Sequence, residues 1–258
     1  KSGTNFAFWI ACPVKLRSNL FGVILIFPFC LLILTSNEAQ AGATINRAPT
    51  SLGLISGLVG YWHLDENTAT TGYDTSGMSN TGILTNGPPW QSISNCKAGT
   101  CLSFDGVDDY VTVTNTSVLQ VDNFTIATWI KRDVLDSNYR EIVRKGVDFF
   151  LLINSENELA LGIENADFLN GFLLSGTGVW EHVAATFDNS TRAVKLYLNG
   201  NQVHSFTSQL SLSVGTDPLR FGSTEIGTQL FDGMIDEVRV WNRALSATEI
   251  LDLYNDLK

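Results

Sequence analysis

The feature that most constrains this chain is a period of two. In Phe124-Thr-Ile-Ala-Thr-Trp-Ile130, Phe124, Ile126 and Ile130 fall on one side of an extended strand and Ala127 and Trp129 on the other, because successive side chains of a strand point to opposite faces. Strand-like runs recur at 58–64, 110–114, 149–153, 159–163, 179–187, 194–198 and 234–240. Glycine, asparagine and aspartate separate them at short spacing, which predicts an all-β sandwich. Asn199-Gly200 stands between two such runs, and both residue types accept positive φ, so a tight primed hairpin is expected there. Gly106-Val-Asp-Asp109 plays a similar part between Leu102-Ser-Phe104 and Tyr110-Val-Thr-Val113. The period changes only at the C-terminus. Ser246-Ala-Thr-Glu249 reads as a capping box, and Ile250, Leu253, Tyr254 and Leu257 follow at helical spacing. One short C-terminal helix against the sandwich is expected.

The first forty residues follow a different logic. Lys15 and Arg17 precede an uncharged apolar run, 20–34, and a polar stretch then ends in Ala39-Gln40-Ala41. A basic flank, a short apolar run and a small-residue site describe a signal peptide. The run is shorter than the roughly 20 residues a membrane helix needs, so cleavage after Ala41 is expected and the mature chain has no membrane span. Residues 1–41 are taken as leader, 42–57 as a small, polar tether, and 58–258 as the working domain. Three basic residues and one acidic residue go with the leader, so the net charge of −10 becomes −12. Nucleic acid, whose phosphates call for clustered lysine and arginine, is excluded as a partner. Cys12 and Cys30 leave with the leader. Cys96 and Cys101 remain as an even pair in an exported protein and are expected to form a disulfide that pins a local turn.

Six segments, in this order, carry a resemblance. They are Leu58-Val-Gly-Tyr-Trp-His-Leu-Asp65, Asp74-Thr-Ser-Gly-Met-Ser-Asn80, Leu102-Ser-Phe-Asp-Gly-Val-Asp-Asp-Tyr-Val111, Trp180-Glu-His-Val-Ala-Ala-Thr-Phe-Asp188, Lys195-Leu-Tyr-Leu-Asn-Gly200 and the run from Gly233 to Ser246. Together they resemble the laminin-G-like jelly roll of the concanavalin A-like superfamily. The resemblance implies a two-sheet antiparallel jelly-roll sandwich, which buries one face of each sheet against the other. Trp129, Trp180 and Phe187 read as core residues, and Arg239 and Arg243 as members of ion pairs.

Three chemistries follow from this reading. Folds of this kind often carry calcium, which takes six to eight hard oxygen ligands. Asp236, Asp65 and Asp74 are the expected ligands, helped by carbonyls near Gly106, while the alternative for Asp74 and Asn80 is a turn made with their own backbone. Saccharide binding needs exposed aromatics, and Trp90 and Tyr73, both in loops, are the expected ligand contacts; Trp90 as a plug beneath its loop is the competing reading. Catalysis finds no support. The strand-borne E-x-D-x-x-E spacing of glycosidases on this sandwich is absent, and His63, His182 and His204 form no metal-binding pair. No nucleophile elbow occurs either. The expectation is therefore a secreted, non-catalytic binding module for glycan or polysaccharide with a structural calcium ion. The alternatives are an adhesion module that binds an extracellular protein, or a module of a larger secreted enzyme.

Overall fold

The computed structural model describes residues 50–164 and 167–257. The leader and its cleavage point lie outside the described residues. Along the chain the strands are β1 (Leu58–Trp62), β2 (Thr71–Gly72), β3 (Gly82–Thr85), β4 (Trp90–Gln91), β5 (Cys101–Asp105) and β6 (Tyr110–Val113). Then come β7 (Phe124–Arg132), β8 (Arg140–Lys145), β9 (Phe149–Ile153), β10 (Glu158–Ile163) and β11 (Asp167–Leu173). The last five are β12 (Trp180–Asp188), β13 (Ala193–Leu198), β14 (Asn201–Thr207), β15 (Leu219–Phe221) and β16 (Asp232–Trp241). Helix α1 (Thr50–Ile55) precedes them and α2 (Ala247–Leu257) follows.

They form two eight-stranded sheets, paired antiparallel throughout. One runs β14-β13-β12-β7-β16-β5-β4, with β1 beside the second half of β16; the other runs β11-β10-β9-β8-β15-β6-β3-β2. One core fills the space between them, with Phe124, Ile126 and Ile130 of β7 against Phe149, Leu151 and Ile153 of β9. The period of two therefore placed the β7 side chains as expected. Phe124 stacks on Phe149 with ring centroids 4.2 Å apart. The jelly-roll sandwich with one C-terminal helix is what the alternation and the resemblance required.

The turn chemistry holds too. Asn199 and Gly200 both have positive φ, +49° and +79°, and join β13 to β14. At α2 the capping box closes: Glu249 Oε2 accepts from Ser246 N and Oγ, both at 2.8 Å, and Ile250 and Leu253 are buried. Within the stretch expected as a tether, the chain from Thr50 onward is helical and docked. Leu54 packs with Trp241 and Leu253, and Trp241 Nε1 donates to the Leu54 carbonyl at 2.6 Å. Arg243 holds the same segment by donating to the Gly53 and Ser56 carbonyls. One apolar residue, Leu54, gives this short segment a place to bind, which its small and polar composition did not announce.

Strand β8 was not foreseen. Its sequence, Arg-Glu-Ile-Val-Arg-Lys, looks like a solvated segment, yet Glu141, Arg144 and Lys145 are all buried. They are tolerated because they are paired. Arg144 Nη1 donates to Glu141 at 2.9 Å and its Nε lies 2.6 Å from Glu225, while Lys145 Nζ donates to the Asp217 carbonyl at 2.5 Å. Among the described residues no helix is long and apolar enough to cross a membrane.

Candidate functional site

The residues expected to bind calcium serve two different loops. Asp236, fully buried on β16, accepts through Oδ2 from the backbone N–H groups of Lys97 and Ala98, at 2.9 and 3.0 Å. Asp65 accepts from Thr100 N at 2.6 Å, and Gly99 lies so close that a Cβ there would collide with its carboxylate. These two carboxylates therefore grip the loop closed by the Cys96–Cys101 disulfide, whose Cα atoms are 5.5 Å apart. Asp74 instead organises the turn to Asn80, accepting from Tyr61 N, Ser76 N and Asn80 N at 2.8–2.9 Å. Backbone N–H groups already take the place a cation would need on these carboxylates, and the three are divided between two loops. As a set of three they do not fit calcium.

Around Asp236 lies a half-buried polar network. Glu237, at a bulge with φ +56°, accepts from Tyr61 and sits 2.9 Å from His63 Nδ1 and 2.6 Å from Arg239 Nη2. The bulge puts Glu237 beside Asp236 electrostatically, where strict alternation would have separated them. Burial pushes the Asp236 carboxyl up to about 8, with the Glu237 and Asp65 charges adding to it against the two backbone hydrogen bonds. Burial also lowers His182 to about 3, helped by the Arg239 and Lys97 charges, so the imidazole is neutral. Trp129, in the same cross-strand row, is sandwiched between Tyr254 of α2 and the Lys97 ammonium. Trp129 is thus buried as expected, although beneath the helix and the disulfide loop, not between the sheets. Trp180 is half-buried and donates to the Asn95 carbonyl at 3.0 Å. The network ties α2 and the disulfide loop to the sheet.

Of the expected sugar contacts, Trp90 is half-buried against the core and gives its indole N–H to the Ala69 carbonyl at 2.8 Å. It lies on β4, paired with Leu102, and not in a loop as expected, and it is seated as the plug of the competing reading. Tyr73 is exposed, and its backbone N–H donates to Glu66.

An open cleft of about 520 Å³ lies elsewhere, where three loops meet. The β5–β6 hairpin contributes Gly106, the β7–β8 loop contributes Ser137, Asn138 and Tyr139 with Arg140 at its end, and the β15–β16 loop contributes Gly227 to Leu230. The loops are fastened to one another. Glu141 N donates to the Gln229 carbonyl at 2.8 Å, Asp133 N to the Asp232 carbonyl at 3.1 Å, and Arg140 Nη1 to the Leu230 carbonyl at 2.7 Å. Arg140 Nη2 also donates to Asp136, whose two oxygens take the Asn138 N–H and side-chain amide. Gly106 has φ +71°, and a Cβ on it would lie 2.9 Å from Arg140 Nη1 and from Asp232 Cβ. Only glycine lets the hairpin approach the guanidinium this closely. Tyr139 is 39 % exposed and is the aromatic of the cleft wall.

Beside Gly106, one oxygen from each of Asp105, Asp108 and Asp109 lies within 4.8 Å of the others. Asp105 Oδ1 is used by the N–H groups of Val107 and Asp108, which lower its pKa, whereas Asp109 is raised by burial and by the Asp105 charge. The remaining oxygens are hard donors of one sign, the set that suits a divalent cation. Sequence reasoning had flagged this hairpin as a turn and its carbonyls as calcium helpers. Tyr139, Arg140 and Gln229 carried no local signal, since they belong to segments separated by about a hundred residues.

A family model for the concanavalin A-like lectin/glucanases superfamily, of laminin-G type, matches residues 105–251. Among solved structures the chain is similar to the binding domain of Paraclostridial Mosquitocidal Protein 1, at 16 % identity and a TM-score of 0.64, over 79 % of this chain and 53 % of that one. It is similar to domain 4 of AbnA, an extracellular GH43 arabinanase from Geobacillus stearothermophilus solved with arabinotriose, at 21 % identity and a TM-score of 0.59, over 76 % and 98 %. It is also similar to the binding domain of botulinum neurotoxin DC solved with rat synaptotagmin II, at 19 % identity and a TM-score of 0.62, over 79 % and 52 %. The chain thus spans about half the length of the toxin binding domains it matches. At these identities the likeness is one of fold. No curated protein sequence matches the chain.

Proposed function

The chain belongs to the concanavalin A-like lectin/glucanases superfamily, and on that premise we propose that it is a non-catalytic, exported binding module that takes saccharide in the three-loop cleft. The observation that carries this reading is the lining of the cleft. One exposed aromatic, two amides, two hydroxyls and a tethered guanidinium surround an open space of about 520 Å³. Tyr139 offers a ring face for the C–H surface of a sugar, Asn138 and Gln229 each offer a donor and an acceptor, and Ser137 and Thr228 exchange hydrogen bonds with hydroxyls. The ties between loops hold these groups in place before the ligand arrives, which reduces the ordering cost of binding. The cleft offers no pair of carboxylates that could divide acid and base roles on a glycosidic bond.

Calcium, in this reading, belongs to Asp105, Asp108 and Asp109 in place of the set expected from sequence. Bound there it would offset like charges and stiffen the hairpin that forms one wall of the cleft. The test is titration calorimetry of the folded chain against a saccharide panel, with and without chelator. Tyr139→Ala is expected to weaken binding at least tenfold and Tyr73→Ala to leave it unchanged. A folded protein that binds no saccharide, or loses binding with Tyr73→Ala and keeps it with Tyr139→Ala, overturns the assignment.

A second reading has its own observation. Val107 and Ile226, on two of the same loops, are 70 % and 78 % exposed, and Leu135 on the third is exposed as well. An apolar rim of this kind suits an extracellular protein partner. Saturable binding to a protein that Val107→Ser and Ile226→Ser abolish, without saccharide binding, would favour it.

A further inference from the structure

We infer that the cleft selects uncharged saccharides and rejects sugars that carry a carboxylate, a narrowing that rests on the saccharide reading above. The only cation among the residues lining the cleft is Arg140, and both its Nη atoms already donate to the protein. Nη1 donates to the Leu230 carbonyl and Nη2 to Asp136, with Asp232 in electrostatic contact. Arginine binds a carboxylate through a fork of two parallel N–H groups; here both Nη atoms already donate to protein acceptors and Nε is buried. Arg132, which neighbours Arg140 in a small adjoining cavity, gives its own Nη atoms to Asn157 Oδ1 and the Ser175 carbonyl.

The surrounding charge has the opposite sign. Asp105 precedes Gly106 and Asp108 follows two residues later, Asp136 precedes Ser137, and Asp232 lies against Gly106 and within the field of Arg140. Their mutual repulsion is felt at Asp232, whose carboxyl is pushed up first by burial and then, against Arg140, by Asp133, Asp136 and Asp105. A uronate or sialate entering the metal-free cleft would feel the carboxylates of Asp105, Asp136 and Asp232 close behind its lining and would find both Nη atoms of Arg140 already engaged. A neutral sugar uses the amides, hydroxyls and ring face and is indifferent to the field.

The experiment is titration of the full chain, in low-salt buffer with chelator so that no metal offsets Asp105 and Asp108, with neutral oligosaccharides and their carboxylated counterparts: glucans against glucuronans, and galactans against galacturonans. A neutral ligand is expected to bind at least tenfold more tightly than its carboxylated counterpart, and the gap is expected to shrink as salt rises. Asp136→Asn releases Nη2 and removes a charge, so the acidic-to-neutral affinity ratio should rise threefold or more. Asp108→Asn, at an exposed position of the hairpin, should move the ratio the same way and covers the case in which the first variant misfolds. Equal or tighter binding of the carboxylated member overturns the inference and leaves the saccharide reading standing. Binding of no saccharide at all removes that reading and the inference together.

Discussion

Asp236→Asn isolates the cost of one buried carboxylate. Asp236 is fully buried, Oδ2 accepts two backbone N–H groups, and Oδ1 has no partner. Burial first of all raises its folded pKa to about 8 from the ordinary carboxylate value of 3.8. A group whose pKa is higher in the folded state binds its proton more tightly there. Its contribution is therefore complete below about pH 4 and is lost as pH rises through about 8. Each pH unit between these limits is worth about 1.4 kcal/mol, so from pH 5 to pH 8 the wild type should lose up to ~4 kcal/mol relative to a variant that does not titrate at this position. Asparagine keeps the shape and one acceptor for the Lys97 and Ala98 N–H groups. Urea unfolding of both proteins at pH 5, 6.5 and 8 gives the difference, in which the other titrating groups largely cancel. The wild type should be the more stable at pH 5 relative to its value at pH 8, with the gap moving steadily towards the variant. A difference that stays flat across this range, or moves the other way, would show that Asp236 is ionised at ordinary cost in the folded protein.

Three further outcomes are expected. Replacing Cys96 and Cys101 together by serine should cost about 2 kcal/mol in urea unfolding, the loop-closure value for so short a loop, with the loop still held by Asp65 and Asp236; a loss above about 5 kcal/mol would mean the contacts fail with the bond. Trp90→Ala should lower stability by about 2–3 kcal/mol, less than a fully buried tryptophan because the ring is only half-buried, and should leave saccharide affinity unchanged by calorimetry if the cleft is the site. Gly106→Ala meets both a positive φ and the 2.9 Å approach to Arg140 Nη1; it should cost about 1–2 kcal/mol and weaken cleft binding, and an unchanged affinity would show that the hairpin is not a wall of the site.

The parts of the fold that were legible are those governed by local rules. β7, β9, β10, β12, β13 and β16 announced themselves by apolar runs, the Asn199-Gly200 turn by its positive φ, and α2 by its capping box. β8 was hidden because its charges are buried in pairs with Glu225 and with the Asp217 carbonyl, and nothing near β8 in sequence identifies those partners. The same holds for the site. Asp65, Asp74 and Asp236 were sensible calcium ligands by residue type, but their partners are backbone N–H groups of loops that only the fold brings near. Trp90 and Tyr73 were selected as loop aromatics, and only packing separates a seated ring from an open one.

By itself the sequence determined the architecture. Alternation with a period of two, interrupted by turn formers, leaves each strand with one apolar face, and two sheets packed face to face bury all of them at once. It also determined the acidic character of the chain and the cysteine pair that closes a turn. Tertiary structure alone decided where a cleft opens among the loops. The cleft draws on residues 106, 137–140 and 227–230, and its polarity depends on which carboxylates and carbonyls already occupy Arg140. Hydrophobic burial is written locally, one strand at a time, whereas a binding site is a relation among loops, and that relation exists only once the sheets have closed.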